Sequence, residues 1–342
     1  MEHWTASFLE NLPTSVLIIF IAAALYVLSR GADILVHEAV SLSVRWNIPK
    51  VLIGATVVSL GTTLPEASVS VAAAASGNPD IALGNAVGSI IADTSLIIGI
   101  AALIRPLPVQ RSITDRQAWV HLGSVLLLAG IALPWGSISR GLRQSGTVPQ
   151  WSGFLFLLLL AAYIYRTIQK ARSSDGDLLG EEGEHPDTSP TPVAVLKLLL
   201  GLALIIASSR MLIPSVEITA LRAGIPQSII AATLVAFGTS LPELSTAVAA
   251  SRKGHGELAI GNIIGADILN VLFVVGAAAA VTPQGLTVPL KFYWFHFPVM
   301  IAVVMIFRFS MLSRSSTVGR ITGAMLVLFY IAYIVLSFTI IS

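Results

Sequence analysis

Glu66 and Glu243 each stand one residue after a proline, in the phrases GTTLPE (61–66) and GTSLPE (238–243). Both phrases interrupt runs that are otherwise apolar. Proline lacks an amide hydrogen and clashes with the preceding turn, so a helix kinks or unwinds there and backbone carbonyls are released. At membrane depth such backbone is tolerated only when buried in protein or lining a watery cavity. Released carbonyls, the hydroxyls of Thr62, Thr63, Thr239 and Ser240, and the two carboxylates form a set of hard oxygen donors. That chemistry suits Na⁺, Ca²⁺ or Mg²⁺ rather than softer metals. An ionisable group at the bilayer centre costs at least about 2.5–3.5 kcal/mol, and a bound cation offsets that cost. The plainer reading, protonated or capped glutamates that only tie helices together, suits a single buried acid better than a matched pair in identical breaks.

The match extends beyond the phrases. An offset of 177 carries Pro65 onto Pro242 and Glu66 onto Glu243. The same offset carries NIP (47–49) onto GIP (224–226), GN (84–85) onto GN (261–262), Asp80 onto Glu257, Ser89 onto Ala266 and Asp93 onto Asn270. One fixed offset over roughly fifty residues marks an internal duplication. In GNAVGSIIADTSL, Ser89 and Asp93 are four apart and project from one helix face. Gly84 with Gly88, and Gly261 with Gly265, allow close helix approach. Asn85 and Asn262 read as helix-packing hydrogen bonders, and Asp267 as either a cavity group or a polar helix contact. Asp80 and Glu257 open their helices, where an acid complements the dipole. Arg30 and Arg210 read as snorkelling or counter-charging residues rather than ligands, and the histidines show no metal-ligand spacing.

The elements that carry these residues are membrane helices. The chain has 342 residues, 55% hydrophobic and 11% charged, with a mean hydropathy of +0.85. Soluble domains are about 25% charged. A net charge of +2, with basic residues scattered in short loops, implies no nucleic-acid partner, and the absence of cysteine excludes disulfides and thiolate metal sites. The amino-terminal stretch lacks the features of a cleaved signal, so residues 15–30 read as the start of a retained span.

At roughly 20 apolar residues per span, ten spans are expected: 14–44, 49–76, 81–104, 115–135, 151–171, 193–221, 226–251, 258–281, 288–309 and 317–341. The first is expected to break at Arg30-Gly31, the second between Gly61 and Pro65, the seventh between Gly238 and Pro242. The fold expected is therefore all-α and membrane-integral. A first half (1–171) and a second half (193–342) flank an acidic linker (172–192). Five spans per half make the two copies inverted repeats, a transporter plan whose site lies near the midplane. With ten spans, thirteen basic residues fall on one side and only Arg140, Arg143, Arg222 and Lys291 on the other. The positive-inside rule then puts both termini outside and the linker in the cytoplasm.

With GTTLPE, GTSLPE, GNAVGSIIAD and GNIIGADILN in place, the chain resembles the cation/Ca²⁺ exchanger superfamily, particularly its prokaryotic sodium/calcium exchangers. The motifs lie within 54–104 and 231–281, the positions of the family's paired α-repeats. The resemblance implies a diamond of four cation sites built by the second, third, seventh and eighth helices. Glu66 and Glu243 would be shared ligands, and Thr62, Thr63, Thr239 and Ser240 would give hydroxyl or carbonyl oxygens. Ser59 and Ala236 would give backbone carbonyls, Ser89 a peripheral hydroxyl, and Asp93 with Asn270 the central polar pair.

The chain departs from the pattern in places. Where family members commonly carry GSN, it has GSI (88–90) and GAD (265–267), so Ala266 removes a hydroxyl whose counterpart Ser89 is kept. The acid of the central pair is Asp93, in the first repeat, whereas it also occurs in the second.

The function expected is a secondary antiporter, not an enzyme, moving Ca²⁺ against Na⁺ with no resident cofactor and with the bilayer as its surroundings. The first and sixth helices are the expected sliding pair. A Ca²⁺/H⁺ antiporter using the same carboxylates is the nearest alternative, a cation channel a more distant one. An intramembrane hydrolase lacks its catalytic motifs. The sequence leaves the oligomeric state open, and a monomer is compatible with it.

Overall fold

The computed structural model describes residues 9–135, 145–173, 190–224, 238–312 and 316–341. They are helical apart from loops and four short strands. The helices are α1 (Thr14–Trp46), α2 (Lys50–Thr62), α3 (Leu64–Ala75), α4 (Pro79–Ile104), α5 (Arg111–Ala132) and α6 (Gln150–Ser173). Then come α7 (Thr191–Arg222), α8 (Leu241–Lys253), α9 (Gly256–Ala280), α10 (Phe292–Met311) and α11 (Arg320–Ile341).

Among the described residues, seven helices are long and apolar enough to cross a membrane, or eight when α2 and α3, bent by 44° at Thr63, count as one span. The difference from ten has local causes. Residues 225–237, the first half of the expected seventh span, lie outside the described residues. The expected fourth span is α5, whose first half carries Arg111, Asp115, Arg116, Gln117 and His121 and so lowers its hydropathy.

Burial sorts the helices into a centre and a jacket. In the most apolar windows of α4 and α9, 72% and 83% of residues are buried, against 17% in α11 and 22% in α6. The jacket turns Leu158, Leu196, Ile321 and Leu328 outward, as expected where lipid is the solvent. α1 and α7 pack along their length. Contrary to the break expected at Arg30-Gly31, α1 runs unbroken. Gly31 serves contact instead: a Cβ there would lie 2.9 Å from the carbonyl of Gly201, so the two backbones meet at a pair of small residues. Arg30 and Arg210 are exposed, consistent with snorkelling.

The internal offset of 177 reappears in the elements. α3 and α8 begin at Leu64 and Leu241, and α4 and α9 at Pro79 and Gly256. Asp80 and Glu257 sit in the first turns of α4 and α9. Two short antiparallel ladders, absent from the sequence expectation, join loops: β1 (Leu107–Pro108) with β4 (Thr317–Val318), and β2 (Gly146–Val148) with β3 (Leu286–Val288).

Candidate cation-binding site

The site grows from two irregularities per half. The first is the proline kink. α2 ends at Thr62, Thr63 closes it, and Pro65 falls in the first turn of α3. Pro242 falls equally in the first turn of α8. Proline tolerates a first helical turn, where its missing amide hydrogen has no carbonyl to serve. Glu66 and Glu243 follow in those same turns, each about 1% exposed.

The second irregularity is a widened turn in each central helix. α4 passes through a π-helical segment at Asp93–Ile97 and α9 through one at Asn270–Val275. Asp93 and Asn270 each open their segment. An extra residue in a turn re-aims side chains and leaves backbone groups imperfectly paired, so π segments collect at functional sites.

These features converge. The charges of Glu243 and Asp93 bear on Glu66, and that of Glu243 on Asp93. The hydroxyls of Thr62 and Thr63 lie beside the Glu243 carboxylate, and that of Ser240 beside Asp93. Thr62, Thr63, Ser59, Ser89, Ser240, Asp93 and Asn270 are all buried, and Thr239 is partly so. Ala236 lies outside the described residues. Burial without partners is the rule here. Both oxygens of Glu66, Oε2 of Glu243, Oδ1 of Asp93 and of Asn270, and the hydroxyls of Thr63, Ser89 and Ser240 have no hydrogen-bond partner among the described residues. Native proteins pair nearly all such atoms. Apart from the amide nitrogen of Asn262 and Nε2 of His121, the unpartnered atoms gathered here are oxygens, Oδ1 of Asp267 among them. Among the described residues no three acidic or imidazole groups meet closely enough to form a finished metal cage.

The carbonyl of Ser59 accepts from the Thr63 amide at 2.9 Å, and the Thr62 hydroxyl lies 3.3 Å from it. Asn85 and Asn262 do bond between helices, but their partners are the site's threonines in the opposite half. Thr239 donates to Asn85 Oδ1 at 3.2 Å, and Thr62 to Asn262 Oδ1 at 3.4 Å. Asn85 also donates to Ser70 Oγ at 3.0 Å.

A family model described as sodium/calcium exchanger protein matches residues 16–169 and 193–339. The chain belongs to the sodium/calcium exchanger family. It is 37% identical over 321 residues to inner membrane protein YrbG of Escherichia coli (strain K12), covering 92% of this chain and 93% of that one. It is 35% identical to putative antiporter CaxA of Alkalimonas amylolytica, covering 94% and 98%. It is 30% identical to sodium/calcium exchanger MaX1 of Methanosarcina acetivorans, covering 91% and 95%. A solved structure of the sodium-calcium exchanger NCX_Mj, soaked with Na⁺ and Sr²⁺, superposes with a TM-score of 0.78 at 26% identity, covering 94% of this chain and 99% of that one.

In this exchanger-family chain Thr94 and His121 went unnamed near the site, and Asp267, read from sequence as a cavity group or a polar helix contact, is joined to both. Asp267 is buried on α9 and accepts a hydrogen bond from Thr94 of α4 at 2.6 Å. His121 of α5 faces the same Asp267 oxygen at 3.1 Å. The available signal was a lone histidine inside the apolar run AWVHLGSVLLLAG (118–130), which has no partner at the repeat offset.

Proposed function

We propose that the chain is a secondary active antiporter that exchanges Ca²⁺ against Na⁺ by alternating access at a site formed by Glu66, Glu243 and Asp93. Thr62, Thr63, Thr239, Ser240, Ser89 and Asn270 complete that site in this reading. The observation that carries it is the pair of glutamates at one repeat offset, both buried and both with unpartnered oxygens.

Charge dictates the cycle. Three carboxylates in a dry cavity are too costly to leave bare. Three monovalent ions neutralise them, or one divalent ion with one proton or monovalent ion. The two loads compete for the same oxygens, so either leaves when the other binds. A site closed to both sides between loads then permits exchange and forbids leak. The sodium/calcium names of the relatives fit this donor set.

The architecture proposed is ten spans in two inverted five-span halves, 1–171 and 193–342, joined by a cytoplasmic 172–192 segment, with both termini outside. Contacts between loops support the alternation. In that topology β1 and β4 fall on one face and β2 and β3 on the other, and each ladder pairs strands of a single face. Arg222 reaches the backbone of Glu10 and Leu12 at 2.7 Å, again within one face. The moving parts proposed are α1 and α7. With 33 and 32 residues they are longer than a bilayer core requires, roughly 20 residues, and so cross it tilted.

A Ca²⁺/H⁺ antiporter is the second reading, favoured by one feature: Ala266, fully buried, has no hydroxyl where the first half has Ser89. Purified protein in proteoliposomes decides between them. An outward Na⁺ gradient should drive Ca²⁺ uptake, a pH gradient alone should not, and Glu66→Gln or Glu243→Gln should abolish it. Wild-type uptake in both variants would refute the site.

A further inference from the structure

Asp267 is the fourth acid within reach of the cavity. Its charge bears on both Asp93 and Glu243, and it lies one helical turn before Asn270. It is 0% exposed. A fourth bare carboxylate would change what the cavity can hold, since each further negative charge favours a divalent or an extra monovalent ion. The structure gives this acid other company. Its Oδ2 accepts from Thr94 at 2.6 Å, on the π segment of α4 next to Asp93. The same oxygen lies 3.1 Å from His121 Nε2, a close approach without a hydrogen bond, while Oδ1 has no hydrogen-bond partner among the described residues; His121 is itself only 1% exposed. His121 sits on α5, a helix that supplies none of the proposed ligands. Its backbone carbonyl accepts from Ser124 at 2.8 Å, within the same turn.

We infer that His121 is a positioning residue that pairs with Asp267 and holds it away from the ions, so that the transported load is set by three carboxylates. A buried carboxylate is tolerated when paired and becomes costly when one partner is removed. Across this helix contact the His121 imidazole lies against the same Asp267 oxygen that Thr94 binds. α5 thereby becomes a determinant of cation preference without touching a cation. The repeat holds no counterpart: its offset carries Ile90 onto Asp267 and His121 onto Pro298. The two halves thus differ in this device, as they differ at Ser89 and Ala266.

The inference rests on the exchanger reading, and one experiment separates their failures. Ca²⁺ uptake driven by an outward Na⁺ gradient is measured in proteoliposomes across a range of Ca²⁺ concentrations for wild type, His121→Gln, Asp267→Asn and the double variant. Asp267→Asn should stay within about twofold of wild type in KM and maximal rate, because the acid binds no cargo. His121→Gln should lower the KM for Ca²⁺ by about tenfold and lower the maximal rate as well, since the freed carboxylate holds the divalent ion and slows its release. The double variant should return both values to the wild-type range, a rescue that loss of packing at position 121 would not give. Should His121→Gln fail to fold, activity in Asp267→Asn and in the double variant supports the inference, and loss in either overturns it. An inactive Asp267→Asn would make this acid a ligand. A His121→Gln protein like wild type, or one not rescued, would also overturn the inference. Wild-type protein without Na⁺-driven uptake would bring down the exchanger reading and this inference together.

Discussion

The hydroxyl of Thr239 donates to Oδ1 of Asn85 across the two halves of the chain, at 3.2 Å. The bond from Thr62 to Asn262 repeats it at the same offset, at 3.4 Å. Each proline break is therefore anchored by the central helix of the other half. This interlock ties the two kinks, one in each half of the chain, to the two central helices α4 and α9.

That interlock makes a paired prediction. Asn85→Ala and Asn262→Ala each leave a threonine hydroxyl without its cross-half partner, at a cost of about 1–3 kcal/mol if the group stays buried. Each should raise the KM for Ca²⁺ by about five- to fiftyfold in proteoliposome uptake, and the two effects should be of similar size. A large effect in one and none in the other would break the symmetry of the interlock.

The asymmetry at Ser89 and Ala266 makes a second. Ser89 offers a buried, unpartnered hydroxyl, and Ala266 occupies the equivalent place. Ala266→Ser adds one oxygen donor to the second half. The Na⁺ concentration that half-saturates exchange should fall about three- to tenfold, as expected for one hydrogen-bond-class contact of about 1 kcal/mol, with Ca²⁺ dependence little changed. Na⁺-dependent transport rates before and after the substitution check it.

A third concerns the α1–α7 contact. A Cβ at Gly201 would stand 2.8 Å from the Leu35 amide nitrogen and 2.9 Å from the Gly31 carbonyl. Backbone cannot yield as a flexible side chain does. Gly201→Val should force the helices apart and destabilise the protein by about 1–3 kcal/mol, seen as a lower unfolding temperature in detergent. Transport should fall further than stability, because α1 and α7 are the proposed moving pair. The buried Glu38, 3.6 Å from Lys197 across the same contact, adds a second tie.

The topology is testable because the native chain contains no cysteine. Thr147→Cys on β2 should react with a membrane-impermeant maleimide added to intact cells. Pro106→Cys, just before β1, should react only after the inner face is opened. The reverse pattern would invert the orientation, and labelling of both from one side would contradict the ten-span alternation.

Much of the site was legible in the sequence because its parts lie within a few residues of one another. Proline, glutamate and hydroxyls share one phrase, and the duplication repeats it, so Glu66, Glu243, Asp93 and Asn270 could be named together. The starts of α3 with α8 and of α4 with α9 follow the same offset. What escaped joins residues far apart in the chain without repetition. The His121–Asp267 pair ties α5 to α9, across the two halves, and has no image at the repeat offset. The partners of Asn85 and Asn262 depend on how the halves dock, which no local pattern encodes. The Arg30-Gly31 pair looked like a break because glycine beside a charge interrupts an apolar run. Packing against Gly201 instead gives that glycine its place inside a continuous helix.

The central claim is that Glu66 and Glu243 close on one cation from opposite halves. Crystals of the protein soaked in Sr²⁺, a Ca²⁺ surrogate with usable anomalous scattering, test it most directly. The account predicts one strong anomalous peak bridging the two carboxylates, at close to the roughly 2.3–2.6 Å of calcium–oxygen bonds, that fades as Na⁺ is raised. A peak held by only one of the glutamates, or a cavity without any peak at Sr²⁺ concentrations that saturate transport, would contradict it.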